Sequence, residues 1–255
     1  MDDETKSPEG ALSHRVSIRG IAPNVVTILA LIAGVTGVKF ALAGFYEKAV
    51  AAIILAGILD GLDGTLARLL KSTSRFGAEL DSLSDVVSFG VAPALILYLW
   101  GLNQLGGIGW VITLTFVVCM ALRLARFNSR MDDEDEPRKK AGYLTGFPAP
   151  VAAALAFLPL VIGFEFGDMI AIGPEVVGIC TALVSMGMVS RLATFSPKSM
   201  VIARDKMIPV LLVVGLLAAS ITVYGWSILL IIAVLYLGSI PWTQWRFFRS
   251  NRGQK

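Results

Sequence analysis

Charge is scarce in this chain. Asp, Glu, Lys and Arg make up 16% of its 255 residues, against about a quarter in an ordinary globular protein. With 55% hydrophobic residues and a mean hydropathy of +0.73, much of the surface must face something other than water, which excludes a soluble globular domain. Histidine is nearly missing too. His14 stands alone, which argues against a histidine triad or a His-rich metal centre. The two cysteines, Cys119 and Cys180, each sit inside an apolar run, so neither a disulfide framework nor a zinc spacing follows. They read as packing residues. The first twenty residues mix acids, bases and Pro8 without an apolar core, so no cleavable signal peptide is expected. There is no usable internal repeat and no low-complexity tract. The net charge of +3 says little by itself, and no nucleic-acid partner is expected.

Long apolar runs take the place of what is missing. A spanning helix needs about 20 mostly apolar residues, and eight stretches qualify: 24–44, 48–69, 80–100, 108–128, 147–165, 170–193, 207–223 and 226–245. The expected fold is an all-α, polytopic transmembrane helix bundle of about eight spans, with the lipid bilayer as solvent. The basic residues test the count. With both termini in the cytoplasm, all of the 22 Lys and Arg residues except Lys39 and Lys48 fall in inner segments, as the positive-inside bias requires. Lys39 and Glu175 lie near outer span ends, where snorkelling accounts for them. Trp100, Trp110, Trp226, Trp242 and Trp245 fall near span ends as interface anchors. The run from Asp132 to Lys140 reads as a solvated loop, and the basic residues after Trp245 as a contact with anionic headgroups.

Two of the apolar stretches carry carboxylates: Asp60 and Asp63 in one, Asp81 and Asp85 in the next. Such groups in a span cost a few kcal/mol each, so four together need a compensating partner. At about 100° per residue, with Asp60 at zero, Asp63 falls at roughly 300°, Gly64 at 40°, Ala67 at 340° and Arg68 at 80°. All share one face. Asp81 and Asp85 differ by only about 40°, and Gly77 lies one turn earlier. A short turn at 70–76 should bring the two helices together as antiparallel neighbours. The four carboxylates then converge, and an all-oxygen donor set suits Mg²⁺ or Mn²⁺. Two such ions can clamp a diphosphate during an in-line displacement. Gly64 and Ala67 leave room for a nucleotide, and Arg68 can pair with phosphate. The competing reading, in which small residues serve close packing while the acids pair with Arg68, Lys71 and Arg75, leaves the one-sided surplus of acids unexplained.

Asp60, Asp63, Gly64, Ala67, Arg68, Gly77, Asp81 and Asp85 follow the pattern D-x2-D-G-x2-A-R-x8-G-x3-D-x3-D without a departure in spacing. In this the chain resembles the CDP-alcohol phosphotransferase family. The resemblance implies a six-helix membrane core at 24–193, preceded by an N-terminal segment at 1–23. A further helical pair at 194–245 and a basic tail at 246–255 follow it. It implies that Asp60, Asp63 and Asp81 hold two metal ions, with Asp85 near one of them and acting as general base. It also implies that Gly64, Ala67, Arg68 and Gly77 receive the CDP moiety. Pro23-Asn24-Val25-Val26-Thr27 looks like the family's entry into its first helix, where Asn24 and Thr27 approach the nucleotide; by itself, Asn24 is equally a helix cap. Family members look dimeric, so a homodimer is expected.

The acceptor rests on Arg123-Leu124-Ala125-Arg126-Phe127-Asn128 and Gly146-Phe147-Pro148-Ala149-Pro150, which resemble membrane-embedded phosphatidylserine synthases. Arg123 and Arg126 share a helix face near the carboxylates. A guanidinium there can bind a serine carboxylate, and Asn128 can hydrogen-bond the amino acid or a phosphate. The implied reaction joins CDP-diacylglycerol and L-serine at the cytoplasmic side of the inner (plasma) membrane. Glycerol 3-phosphate or an inositol compound is the alternative acceptor. A divalent-cation transporter is the remote alternative, since the other spans offer no continuing polar path.

Overall fold

The computed structural model of the chain describes residues 18–70, 72, 74–129, 143–167, 172–190, 193–195 and 225–252. α1 (Ile18–Leu42) and α2 (Tyr46–Leu69) form an antiparallel hairpin that packs along much of its length. Gly44 turns the chain between them at φ +78°, a left-handed conformation that glycine adopts without steric penalty. α3 (Arg75–Asp85), a π-helical segment (Val86–Val91) and α4 (Ala92–Trp100) continue as one rod. A 3-10 turn at Leu102–Leu105 leads into α5 (Gly107–Ser129). α6 (Ala149–Ala156), α7 (Leu158–Phe166), α8 (Pro174–Val189) and α9 (Trp226–Arg252) complete the described helices.

Local chemistry explains the breaks. α3 starts where the Ser74 side chain accepts the Gly77 backbone N–H at 3.0 Å, an N-cap that satisfies one of the open donors of the first turn. The π-segment precedes Pro93, whose ring crowds the carbonyl four residues back and which has no N–H to donate. Widening the turn, with the Ala92 N–H reaching back to the Val87 carbonyl, accommodates it. Pro159 acts likewise at the α6–α7 junction, where the axis bends by 45°.

Four helices, Ile21–Leu42, Tyr46–Leu69, Arg75–Trp100 and Gly107–Ser129, are long and apolar enough to cross a bilayer, or five if the bent α6–α7 pair is one span. The expected count of about eight is therefore not reached among the described residues. α8 has 16 residues, and the apolar part of α9 is only Trp226–Ser239, both short of the span length of about 20. The stretch 207–223 lies outside the described residues, as do the loop from Asp132 to Lys140 and Lys71. The fold is helical, as expected, with one small antiparallel ribbon added. β1 (Tyr143–Thr145) pairs with β2 (Ala193–Phe195), with Leu144 opposite Thr194. It ties the approach to α6 to the exit from α8. Strands of three residues are too short to show an alternating pattern in sequence.

The core is built largely of alanine: Ala49, Ala56, Ala92, Ala94, Ala149, Ala152, Ala153 and Ala156 are all nearly inaccessible. Small residues let helix backbones approach, and in lipid this packing replaces the hydrophobic drive. Gly34 shows how close: a Cβ there would lie 2.8 Å from the Ser88 Cα. The outer faces carry the large apolar side chains, including Val25, Ile28 and Ile32 on α1 and Val111, Leu114, Val118 and Leu122 on α5. Such an exterior fits an integral membrane protein.

Candidate active site

α1 is the platform of the site, since both α2 and α3 pack against it. The C-terminal half of α2 and the middle of α3 bring their aspartates together there. One carboxylate oxygen from each of Asp60, Asp63 and Asp81 lies within 4.8 Å of the others. Asp63 is buried, while Asp60 and Asp81 are half-buried. Asp85 lies beside Asp60 and within electrostatic range of Asp81 and Arg123. The fold brings three of the four expected aspartates, Asp60, Asp63 and Asp81, into one group, with Asp85 beside Asp60 and Asp81.

Hydroxyl groups on α1 and α3 hold this arrangement. Thr27 Oγ1 donates to Asp63 Oδ2 at 2.5 Å, with the Pro23 carbonyl 3.1 Å away. Ser84 donates to the Thr27 carbonyl at 3.3 Å, and Ser88 to the Ala30 carbonyl at 3.4 Å. These two bonds fasten α3 and the π-segment to α1 on either side of Asp85, so its position is set by neighbours in space as well as by helical period. Thr27 thus reaches an aspartate, a contact that nothing in the local sequence signals.

The residues expected around a nucleotide are placed in two ways. At Gly61 and Gly64 an added Cβ would meet nothing within 4 Å, so the flank of α2 beside the aspartates is open. Ala67 is half-buried and Arg68 exposed; the Arg68 Nε donates to the Gly64 carbonyl at 3.0 Å, laying the guanidinium along that flank. Asn24 and Gly77 face each other instead. A Cβ at Gly77 would sit 2.9 Å from Asn24 Oδ1 and 3.1 Å from Ser74 Oγ, so a larger residue there would push the Asn24 side chain aside. Asn24 is not a helix cap, because α1 already begins at Ile18.

Of the three residues proposed to face the acceptor, two line the seam between α3 and α5. Arg123 lies within electrostatic range of Asp85 and Asp60, and its Nε and Nη1 are shielded from solvent with no hydrogen-bond partner among the described residues. Asn128 donates through Nδ2 to Ser82 Oγ at 2.9 Å, while its shielded Oδ1 has no such partner. Arg126 points elsewhere. Its Nη1 donates to the Val189 carbonyl at 2.9 Å, capping the last turn of α8, a position that favours a cation.

The donor set fits a hard divalent cation. Three carboxylates from two helices share a space one ion could bridge, and every available ligand atom is oxygen. Carboxylates this close repel unless a proton or a cation lies between them.

Comparison with known proteins agrees with this chemistry. Residues 20–186 match the family model for CDP-alcohol phosphatidyltransferase. A Mycobacterium tuberculosis (strain ATCC 25618 / H37Rv) protein named CDP-diacylglycerol–serine O-phosphatidyltransferase is 45% identical over 148 residues, 58% of this chain and 51% of that protein. The chain therefore spans about half the length of that curated relative. A Mycobacterium leprae (strain TN) protein of the same name is 35% identical over 229 residues, covering 90% of this chain and 76% of the relative. A Helicobacter pylori (strain J99 / ATCC 700824) protein, again of that name, is 39% identical over 144 residues, 56% of this chain and 59% of its own length.

Proposed function

The chain belongs to the CDP-alcohol phosphatidyltransferase family, and we propose that it transfers the phosphatidyl group of CDP-diacylglycerol to the hydroxyl of L-serine, releasing CMP. The observation that carries this reading is the convergence of Asp60, Asp63 and Asp81 within 4.8 Å, beside an open glycine flank on one side and buried Arg123 donors on the other. Asp60, Asp63 and Asp81, with Asp85 at the edge, are the residues to hold Mg²⁺ or Mn²⁺. When bound, two such ions neutralise the diphosphate and stabilise the leaving phosphate oxygen.

The chain's own groups do the rest. The open side of α2 at Gly61 and Gly64 receives the cytidine diphosphate, with Ala67 beneath it and Arg68 available to phosphate. Asn24, Thr27 and Gly77 shape the neighbouring wall, Thr27 by orienting Asp63. Asp85 accepts the proton of the serine hydroxyl as the oxygen attacks the lipid-side phosphorus; an O–P bond forms, the bond to CMP breaks, and the proton leaves Asp85 for water. There is no histidine among the described residues to form a phospho-enzyme, which favours direct displacement.

Serine as acceptor has its own support. A free amino acid offers a carboxylate and an ammonium, and the seam offers donors on Arg123 and an acceptor on Asn128 that find no partner among the described residues. Leaving such buried atoms unpaired costs about 1–3 kcal/mol each, so a zwitterion relieves both at once. Arg126, bonded to α8, supports this wall from behind. We place the site at the cytoplasmic side of the inner (plasma) membrane, because Arg68, Arg75, Arg123 and Arg126 lie on the helices at the end of the bundle that holds the aspartates. A homodimer and a family core at 24–193 extended by a helical pair complete the reading.

The test is acceptor-dependent CMP release by purified protein given CDP-diacylglycerol and Mn²⁺. L-Serine is expected to support turnover, with glycerol 3-phosphate and inositol at least about tenfold poorer in kcat/KM, in line with an unmet buried charge. Faster turnover with glycerol 3-phosphate would overturn the choice of acceptor, and no CMP release with any alcohol would overturn the reaction.

A further inference from the structure

Side chains follow one another around α3 in a definite order. Taking about 100° per residue with Asp81 at zero, Ser84 falls at roughly −60°, Asp85 at 40° and Ser82 at 100°. Ser84 bonds to α1 at one margin, through the Thr27 carbonyl. Ser82 bonds to α5 at the other margin, through Asn128. Asp85 thus stands between Asp81, on the metal side, and Ser82.

The Ser82 hydroxyl has one proton, and that proton is already used. Its Oγ donates to the Ala78 carbonyl at 3.0 Å, one turn back on α3, so toward α5 it can only accept. Asn128, near the end of α5, answers with Nδ2 at 2.9 Å. With the ends of the amide exchanged, two oxygens would face each other and neither would have a proton to share. The bond to Ser82 therefore turns the other end of the amide, Oδ1, away from that hydroxyl. This oxygen is shielded from solvent and has no hydrogen-bond partner among the described residues. A buried acceptor in that state calls for a donor. Arg123, little more than a turn earlier on α5, has the opposite need, since its Nε and Nη1 are shielded donors without a partner there.

We infer that Ser82 is a positioning residue that, through the Asn128 amide, presents a carbonyl oxygen to the ammonium group of an amino-alcohol acceptor. The inference rests on the transferase reading of the site. An amide oxygen has no proton to give, so it attracts an ammonium and offers nothing to a phosphate or a carboxylate. The Arg123 donors complement it for the carboxylate of the same molecule. Released from Ser82, the amide is free to turn its NH2 group the other way, and the preference for an ammonium goes with it. A buried site built to hydrogen-bond a group discriminates strongly against the analogue without it.

Ser82→Ala tests this in the full chain, because alanine removes only the hydroxyl and is a good helix former. The KM for L-serine is expected to rise about tenfold, with kcat, the KM for CDP-diacylglycerol and CMP binding little changed. Inhibition by 3-hydroxypropanoate, which is serine without its ammonium, is expected to keep its strength. Ser82→Thr, whose hydroxyl can also bond the carbonyl one turn back, is expected to restore the serine KM. Added to Asn128→Ala, Ser82→Ala is expected to change the serine KM no further, because its effect passes through that amide. An unchanged serine KM, an equal weakening of 3-hydroxypropanoate, loss of CMP binding, no rescue by Ser82→Thr, or additivity with Asn128→Ala would each overturn the assignment. Absence of serine-dependent CMP release from the unsubstituted protein would instead defeat the transferase reading beneath it.

Discussion

Asp85→Asn is expected to lower the turnover of serine-dependent CMP release by about 10²- to 10⁴-fold, the range that a positioned general base contributes, while CDP-diacylglycerol still binds. The argument comes from what surrounds the side chain. Asp85 sits at the junction of α3 and the π-segment, where the Ser84 and Ser88 bonds to α1 hold the backbone. Asparagine has nearly the same shape and can donate from its amide to Asp60, so the site keeps its form. What it lacks is a group able to take a proton. Asp60, Asp63 and Asp81 remain to hold cations and, through them, the diphosphate. Comparing turnover with the affinity for CDP-diacylglycerol separates the roles. If both fall together, Asp85 is chiefly a ligand and the proton leaves by another route.

Removal of divalent cations by a chelator is expected to abolish both turnover and nucleotide binding, and added Mg²⁺ or Mn²⁺ to restore them. Metal-assisted displacement supplies several kcal/mol of charge stabilisation, so the residual rate should lie three or more orders of magnitude below that of the loaded protein. Asp63→Asn should mimic this at moderate metal concentration. The substitution keeps the Thr27 hydrogen bond, since an amide oxygen accepts as well as a carboxylate, but deletes a charge from a cluster of three. Its cost in metal affinity should exceed the roughly 10- to 100-fold typical of losing an outer-shell partner. Titrating turnover with Mn²⁺ in both proteins measures the shift, and full activity of Asp63→Asn at the same metal concentration would remove Asp63 from the ligand set.

The part of this site legible in the sequence is the part governed by helical period. Asp60 and Asp63 on α2, and Asp81 and Asp85 on α3, lie at spacings that put carboxylates on one face. Two helices joined by a short turn at one end could hardly keep them apart. Interactions set by a third helix were not legible. Thr27 meets Asp63 because α1 carries both α2 and α3, and Asn24 lies against Gly77. Asn128 finds Ser82, and Arg126 finds Val189, across gaps of 46 and 63 residues. No local pattern encodes such distances. The described residues hold four or five of the roughly eight expected spans, and apolar composition does not report where a proline bends a helix, as Pro159 does, or how short a helix such as α8 is.

The central claim is that the aspartates of α2 and α3 form one cation site. Anomalous diffraction at the manganese edge, from crystals grown with Mn²⁺ and CDP, locates it directly. The account predicts manganese peaks within ligand distance of the Asp60, Asp63 and Asp81 carboxylates, with the nucleotide lying along Gly61 and Gly64. Manganese bound elsewhere, or nucleotide bound with no metal at these three residues, would contradict it.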